Sequence, residues 1–234
     1  MTTAVILAGG LGTRLREMVP DLPKPMAPIN GRPFLAHQMD YWIGQGIERF
    51  VLSVGYRHEA ISGNFGTEYH GIRIDYVIEH SALGTGGGML LAAERLAGEA
   101  TFLLLNGDTY FEVELAALRA MHESSKADWT FALFRATEAG RYMGMDIARD
   151  GRITSLKSDT AKPSRLANGG VYLVNPGALR LGGWRPGGKH SLEDEILPAA
   201  LATDQRLYGL ECSGKFIDIG VPEDYARVPN LLAT

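Results

Sequence analysis

The chain has 234 residues, of which 45% are hydrophobic and 21% are charged, proportions that are ordinary for a globular protein. A net charge of −4 argues against nucleic acid or an anionic membrane as the main partner, because either would favour a clustered basic face. With Cys212 as the one cysteine, no intramolecular disulfide can form.

Hydropathy along the chain predicts neither a membrane span nor a signal peptide. No apolar run reaches ~18 residues, the length that a spanning helix needs, and a strand is predicted within a few residues of the N-terminus. We therefore expect a single cytoplasmic domain over residues 1–234, and composition leaves a homo-oligomer open.

The first motif is a glycine turn that follows a short apolar strand. Ala4–Ala8 is predicted to be a buried strand, and Gly9–Gly12 (GGLG) breaks it. A glycine backbone can approach a polyphosphate closely and point several N–H groups at it, and Arg14 and Lys24 add two cations nearby. The alternatives are a purely structural strand-to-helix turn and a dinucleotide fingerprint, although the latter requires G-x-G-x-x-G.

Helices and strands are predicted to alternate after this turn. The apolar spacing predicts a helix at 33–43, a strand at 50–54, a helix at 59–65 and a strand at 72–78. This rhythm predicts parallel strands with helical crossovers, in which ligands bind beyond the carboxyl ends of the strands.

A second glycine block follows the third of these strands. Glu79 comes directly after the strand, Gly84–Gly88 contains four glycines, and a helix is predicted from Met89 to Leu96. The start of that helix could bind an anion or lie close to a ligand, and the alternative is a flexible loop.

A fourth apolar strand is predicted at 101–105, and Asn106-Gly107-Asp108 follows it. The Asn-Gly pair would favour a hairpin, but residues 113–121 are predicted to be helical, which makes the hairpin a weak interpretation. Asp108 is therefore predicted at a ligand-facing strand end, and the alternative for this residue is a turn or helix cap.

The second half of the chain changes pattern. The predicted elements are a strand at 128–135, a hairpin at 142–148 and 153–156 that forms a rim or lid, a glycine turn at 168–170 entering a strand, a helix at 191–201 capped by Ser191, strands at 207–211 and 216–219 that close the sheet, and a terminal helix starting at 220–224.

Taken together, several ordered blocks resemble the sugar-1-phosphate nucleotidylyltransferases. They are LAGGLGTRL, KPM, LGTGG, LLLNGD, NGGVY, SLEDEILP and FIDIGVPEDY, in that family's order and approximate spacing. The resemblance implies an α/β fold with a Rossmann-like, mostly parallel sheet flanked by helices and a small β-hairpin insertion on the sugar side. It also implies a reaction in which a sugar 1-phosphate attacks the α-phosphorus of a nucleoside triphosphate and pyrophosphate leaves.

Within the family, the compact length and the EHSALGTGG and SLEDEILP blocks look most like the D-glycero-D-manno-heptose 1-phosphate guanylyltransferases of bacterial surface polysaccharide synthesis. Mannose-1-phosphate guanylyltransferases, N-acetylmuramate-1-phosphate uridylyltransferases and glucose-1-phosphate thymidylyltransferases are near alternatives. A different class would be a non-catalytic regulator that binds nucleotide sugars, and a nicotinamide oxidoreductase is disfavoured by the glycine spacing.

The resemblance implies roles for individual residues. Catalytic roles fall to Arg14, Lys24 and Asp108, and Asp108 and Asp218 match paired ligands of Mg²⁺. Because two carboxylates at separate strand ends have no other evident partner in the sequence, they are predicted to share the ion. The nucleotide-binding positions are Leu7, Gly9, Gly10, Gly12, Thr13, Glu79, Gly84 and Thr85. The sugar-binding positions are Gly144, Lys157, Asn168, Gly169 and Glu193.

Two of these assignments leave alternatives open. Lys157 is the candidate to hold the sugar phosphate because relatives usually carry a lysine slightly later; Lys162 is the reserve, and either lysine could simply be solvated. Glu79 is predicted to read guanine, since a carboxylate is acceptor-only and guanine presents two adjacent donors. The alternative is a surface glutamate after a strand.

Overall fold

The computed structural model describes residues 2–10, 12, 15, 18–136, 142, 144–158 and 165–233. These residues form the strands β1 (Thr3–Ala8), β2 (Pro28–Ile29), β3 (Arg32–Pro33), β4 (Arg49–Val54), β5 (Glu68–Tyr69), β6 (Ile72–Ile78), β7 (Phe102–Asn106), β8 (Thr109–Phe111), β9 (Trp129–Ala136), β10 (Gly144–Ile147), β11 (Ile153–Ser158), β12 (Arg165–Val174), β13 (Leu207–Glu211) and β14 (Phe216–Asp218). The α-helices are α1 (Phe34–Gly44), α2 (His58–Phe65), α3 (Gly84–Ala93), α4 (Leu115–Ser124), α5 (Leu197–Ala202) and α6 (Pro222–Leu231). A π-helical turn, Leu192–Ile196, leads directly into α5.

Four parallel strands make the centre of the main sheet, in the order β7-β1-β4-β6. β1 is buried almost throughout because it pairs with β4 on one side and β7 on the other. The connections to β4, β6 and β7 contain α1, α2 and α3 in turn. The alternation predicted from the sequence is therefore confirmed, and the carboxyl ends of β1, β6 and β7 meet at one edge.

The flanks of the sheet are mixed. β12 runs antiparallel to β7, β9 and β10, while β13 is parallel to β9. The predicted hairpin is formed by β10 and β11, but it extends the main sheet at its edge through the pairing of β10 with β12.

Two predicted connections in this half were wrong. Residues 168–170 lie inside β12, where the pairing with β9 shifts between Asn168 and Tyr172, and do not form a turn entering a strand. β14 does not close the main sheet, because it pairs with β8 in a separate two-stranded sheet. This second pairing matters for function, since it brings Asp218 beside Thr109 and hence beside the strand end that carries Asp108.

Apolar side chains fill both faces of the main sheet. Ile6 of β1 points into one core with Trp42 of α1, and Val5 points into the opposite core with Met89 of α3. Each fully buried side chain of this size contributes about 1.5–3 kcal/mol. A third cluster joins Ile29 to Val228 of α6. None of the described helices is both long and apolar enough to cross a membrane.

Candidate active site

A cavity of about 450 Å³ opens at the carboxyl ends of the central strands. Its lining comes from the turn after β1, the end of β6, the start of α3 and the turn after β7. Predicted site residues on this lining are Leu7, Gly9, Gly10, Gly12, Lys24, Glu79, Gly84, Thr85 and Asp108. The strand-end rule for parallel sheets therefore located this cavity correctly.

The glycine turn after β1 packs against the side chains of Glu79 and Lys24. A Cβ on Gly9 would overlap the carboxylate of Glu79, so a larger residue here would displace that carboxylate from its position at the end of β6. Gly12 has a φ of +57°, in the left-handed region that favours glycine. Thr13 and Arg14 lie outside the described residues, and their predicted roles stay predictions.

Lys24 lies between the two predicted metal ligands. Its Nζ is 2.6 Å from Asp108 Oδ2 and 3.8 Å from Asp218 Oδ1, and its side chain is only 13% exposed. Asp218 Oδ1 also accepts a hydrogen bond from the backbone N–H of Gly220 at 2.6 Å. The two carboxylates thus have a partner in the protein itself, which corrects the premise that they lacked one.

The same arrangement fits a hard divalent cation. Asp108 and Asp218 bring two carboxylates to one cationic position, at the edge of a cavity large enough for phosphates. Within the described ranges, no group of three or more His, Cys, Asp or Glu side chains could hold a metal ion. Two carboxylates, with phosphates and water completing the shell, are a typical Mg²⁺ donor set.

Glu79 is held from two sides at the end of β6. Ser53 Oγ donates to Glu79 Oε1 at 2.9 Å, and the backbone N–H of Leu83 donates to Oε2 at 3.2 Å. Burial raises the pKa of Glu79, and these two hydrogen bonds oppose the increase only in part. A second cavity of about 400 Å³ lies on the other side, lined by Tyr56, His58 and their neighbours, and Glu79 lines both cavities.

The start of α3 differs from the sequence prediction. The helix begins at Gly84 instead of Met89, so the glycines lie inside its first turns. The N–H groups of Gly86 and Gly87 donate to the carbonyl oxygen of His190, at 3.0 and 3.2 Å. Because these donors are already satisfied, the structure does not support an anion bound by them.

A smaller cavity of about 200 Å³ adjoins the first, and Asn106 lines both. Three predicted sugar-side residues line it: Lys157, Asn168 and Glu193. Lys157 Nζ lies 3.4 Å from Asp194 Oδ1, and the reserve Lys162 lies outside the described residues.

The two predicted sugar-side glycines are placed differently. Gly144 is buried in β10, and its neighbour Met145 lines the cavity. A Cβ on Gly169 would lie 2.5 Å from the ring of Phe111, so this residue faces the core. Gly170 lines the cavity in its place.

Two supporting residues, Gln38 and Tyr172, were missed by sequence reasoning. Gln38 is buried in α1, and its Nε2 donates to the carbonyl oxygens of Asn106 at 2.9 Å and Thr109 at 2.7 Å, at both ends of the turn that carries Asp108. Asn168 donates to the hydroxyl of the fully buried Tyr172 at 2.7 Å. For Gln38, the available signal was a polar residue within the apolar face of a helix.

The nucleotidyl transferase family model matches residues 3–234. The D-glycero-alpha-D-manno-heptose 1-phosphate guanylyltransferase of Aneurinibacillus thermoaerophilus is 42% identical over 224 residues, which are 96% of this chain and 95% of that protein. The protein of the same name from Campylobacter jejuni is 38% identical over 229 residues, covering 95% of this chain and 96% of that one.

Among solved structures, HddC from Yersinia pseudotuberculosis complexed with GMP-PN matches with a TM-score of 0.84 and 30% identity, over 100% of both chains. The fold and the sequence blocks therefore agree, and this chain belongs to the nucleotidyl transferase family.

Proposed function

We propose that this protein transfers GMP from GTP to D-glycero-α-D-manno-heptose 1-phosphate, which produces GDP-heptose and pyrophosphate. The observation that carries the proposal is the pair of adjoining cavities, which share Asn106 and have Lys24, Asp108 and Asp218 at the edge of the larger one. The choice of substrates is supported by the names of the relatives that match nearly the whole chain.

In the proposed reaction, a phosphate oxygen of the sugar 1-phosphate attacks the α-phosphorus of GTP. A new P–O bond forms, the bond between the α-phosphorus and the bridging oxygen breaks, and pyrophosphate leaves with the electron pair. Positioning and charge neutralisation dominate such a transfer. Lys24 neutralises negative charge on the phosphates beside Asp108, and Arg14 is proposed to add a second cation.

Asp108 and Asp218 are proposed to hold a divalent cation, Mg²⁺. When bound, the ion neutralises charge on the phosphates of GTP and of the leaving group. Lys24 then keeps the two carboxylates together from the protein side, because its ammonium lies within 4 Å of both.

Base and sugar recognition are assigned to the two ends of the site. Glu79 is proposed to accept both donors of the guanine edge, next to the backbone of Gly84. On the sugar side, Asn168 and Glu193 are proposed to bind hydroxyl groups, and Lys157 to bind the phosphate. We place the reaction in the cytoplasm, where nucleoside triphosphates are made.

A substrate panel tests the proposal. The purified protein is incubated with each of GTP, ATP, UTP, CTP and dTTP against heptose, mannose, glucose and N-acetylmuramate 1-phosphates, with Mg²⁺, and pyrophosphate release is measured. Both anomers of the heptose phosphate are included. We expect the highest kcat/KM for GTP with the α-anomer. Binding without pyrophosphate release for every pair would favour a non-catalytic regulator, and a higher kcat/KM with UTP or dTTP would contradict the base assignment.

A further inference from the structure

The hydroxyl of Thr85 connects the nucleotide-side cavity to the sugar-side cavity. Thr85 lines the larger cavity from the first turn of α3, and Glu193 lines the smaller one from the π-helical turn. Thr85 Oγ1 donates to Glu193 Oε2 at 2.6 Å, a short charge-assisted hydrogen bond.

This bond uses the only proton that the threonine hydroxyl has to donate. The hydroxyl also accepts a hydrogen bond from the backbone N–H of Leu192 at 3.0 Å. A hydroxyl group carries one donor, so Thr85 cannot hydrogen-bond a nucleotide phosphate as a donor while it holds Glu193. Thr85 was predicted to bind the nucleotide, whereas its hydroxyl donates to Glu193 on the sugar side.

Backbone hydrogen bonds between residues 83–87 and His190 fix the position of Thr85 relative to Glu193. The His190 N–H donates to the Leu83 carbonyl oxygen at 2.8 Å. The His190 carbonyl oxygen accepts from the N–H groups of Gly86 and Gly87 in the first turn of α3. A Cβ on Gly84 would lie 2.5 Å from the carbonyl oxygen of His190, so larger residues would push the two segments apart. The start of α3 and the residues before Glu193 therefore pack as one unit, and the Thr85 hydroxyl fixes the carboxylate at its end.

We infer that Thr85 is a positioning residue for the sugar: its hydroxyl orients the Glu193 carboxylate so that Oε1 accepts a hydrogen bond from a sugar hydroxyl. Among the described residues, no hydrogen bond is made to Glu193 Oε1, whereas Oε2 is taken by Thr85. A preoriented carboxylate loses less side-chain entropy when the sugar binds. This inference rests on the proposed function, because it requires a sugar 1-phosphate in the smaller cavity.

Steady-state kinetics of Thr85→Val and Thr85→Ser test the inference. Valine keeps the shape of threonine but has no hydroxyl, and serine keeps the hydroxyl. We expect Thr85→Val to raise the KM for the sugar 1-phosphate roughly tenfold or more, the effect of losing a hydrogen bond to a charged group, and to leave the KM for GTP within about twofold. Thr85→Ser should restore the sugar KM toward the wild-type value.

A double-mutant cycle with Glu193→Ala separates positioning from a general loss of structure. If Thr85 acts through Glu193, Thr85→Val has no further effect on the sugar KM once the carboxylate is absent. Thermal denaturation reports whether each variant is folded, since valine also leaves the Leu192 N–H without its acceptor. Should Thr85→Val not fold, Thr85→Ala enters the same cycle.

Three results would overturn the inference: a raised KM for GTP with an unchanged sugar KM, a serine variant as impaired as the valine variant, or an undiminished effect of Thr85→Val in the Glu193→Ala background. Failure of the proposed function looks different, because the wild-type protein itself would then release no pyrophosphate from GTP with the heptose phosphate. If the wild type accepts another sugar 1-phosphate, the same comparison is made with that substrate.

Discussion

Lys24 and its two carboxylates carry the first prediction at the scale of single residues. Asp108→Asn and Asp218→Asn each remove one negative charge from the ion pair and from the proposed cation site, while the side chain keeps its size. We expect kcat to fall by roughly 10²–10³, the cost typical of a lost electrostatic contact in a transition state, with the melting temperature little changed. The measurement is kcat at saturating GTP and Mg²⁺.

The matched control for this pair is Asp204→Asn. Asp204 also pairs with a cation, Arg152, at 3.5 Å, but it is 99% exposed and lies away from both cavities. Its substitution should leave kcat unchanged, since exposed ion pairs contribute little. Full activity in either Asp108→Asn or Asp218→Asn would rule out the shared cation site.

Glu79 carries the second prediction, which concerns the base. A carboxylate against guanine takes both donors, whereas uracil and thymine turn a carbonyl toward its second oxygen. Glu79→Gln should reduce the preference for GTP over UTP by about tenfold to a hundredfold, because an amide can donate to that carbonyl. The ratio of kcat/KM values for the two nucleotides measures this, and an unchanged ratio would assign base selection to another residue.

The raised pKa of Glu79 gives a third prediction, on stability against pH. A carboxyl whose pKa is higher in the folded than in the unfolded state binds its proton more tightly when folded. Its contribution to the free energy of unfolding is therefore most favourable at low pH. The ordinary pKa of a glutamate is about 4.5. The contribution declines as the pH rises from this value through the raised pKa of the folded state.

Melting temperatures of the wild type and Glu79→Gln between pH 4 and pH 7 check this sign. The wild type should lose stability relative to the glutamine variant as the pH rises, until the carboxyl is fully ionised, because glutamine has no proton to lose. A difference that grows in favour of the wild type toward pH 7 would show that hydrogen bonds from Ser53 and Leu83 outweigh burial.

At the scale of elements, the first turns of α3 show the limit of prediction from local sequence patterns. The strand and helix order of the first half was predictable because apolar periodicity is local. The glycines at 84–88 were predicted to precede a helix that starts at Met89, with a flexible loop as the alternative, and glycine is a poor helix former. The helix forms there because His190, about a hundred residues later, packs against backbone that carries no Cβ, a contact that no local pattern contains.

This packing predicts a large effect of a single methyl group. A Cβ on Gly87 would overlap the carbonyl oxygen of Gly188 and lie 2.7 Å from Leu83 Cβ, so Gly87→Ala should separate α3 from the segment that leads to Glu193. We expect a loss of about 1–3 kcal/mol in the free energy of unfolding, as for other overpacked sites, and a raised sugar KM. Denaturant unfolding and kinetics measure both.

Gly63→Ala is the control for the same substitution. Gly63 lies in α2, where an added Cβ would meet no atom within 4 Å. Alanine should stabilise that helix by about 0.5–1 kcal/mol, because it has less conformational freedom to lose on folding. If both variants behaved alike, the close approach at Gly87 would not be the reason for its glycine.

Gln38 connects α1 to the turn that carries Asp108, through its hydrogen bonds to both ends of that turn. Gln38→Met keeps the length of the side chain and removes both donors to the Asn106 and Thr109 carbonyls. We expect a lower kcat and a higher Mg²⁺ concentration for half-maximal activity. Gln45→Met is the control: Gln45 caps the end of the same helix, and its Oε1 accepts a hydrogen bond from the Leu115 N–H at 3.1 Å. Loss of this acceptor should spare the Mg²⁺ requirement.

At the scale of the whole molecule, the site depends on segments that are distant in sequence. Lys24 follows β1, Asp108 follows β7, and Asp218 ends β14. Helix α6, which follows β14, is tied to the segment that follows Lys24. The Tyr225 hydroxyl donates to the Pro28 carbonyl at 2.9 Å, and Asn30 donates to the Pro229 carbonyl at 3.0 Å. Motif order could predict that the two aspartates belong together, but not that a lysine lies between them, since that requires the antiparallel pairing of β8 and β14.

A site assembled in this way should stabilise the whole fold when its ligands bind. A ligand that binds only the folded state at a hundred times its Kd adds about 2.7 kcal/mol to the free energy of unfolding. For a chain of this size, that corresponds to a rise of roughly 5–11 °C in Tm. We expect GTP with Mg²⁺ to produce such a rise, and GTP with EDTA or UTP with Mg²⁺ to produce a smaller one.

In Asp218→Asn the difference between Mg²⁺ and EDTA should disappear, because the variant lacks one of the two carboxylates that hold the ion while the rest of the nucleotide cavity is intact. An equal rise for GTP with and without Mg²⁺ in the wild type would mean that Lys24 alone neutralises these carboxylates and that no cation binds between them and the nucleotide.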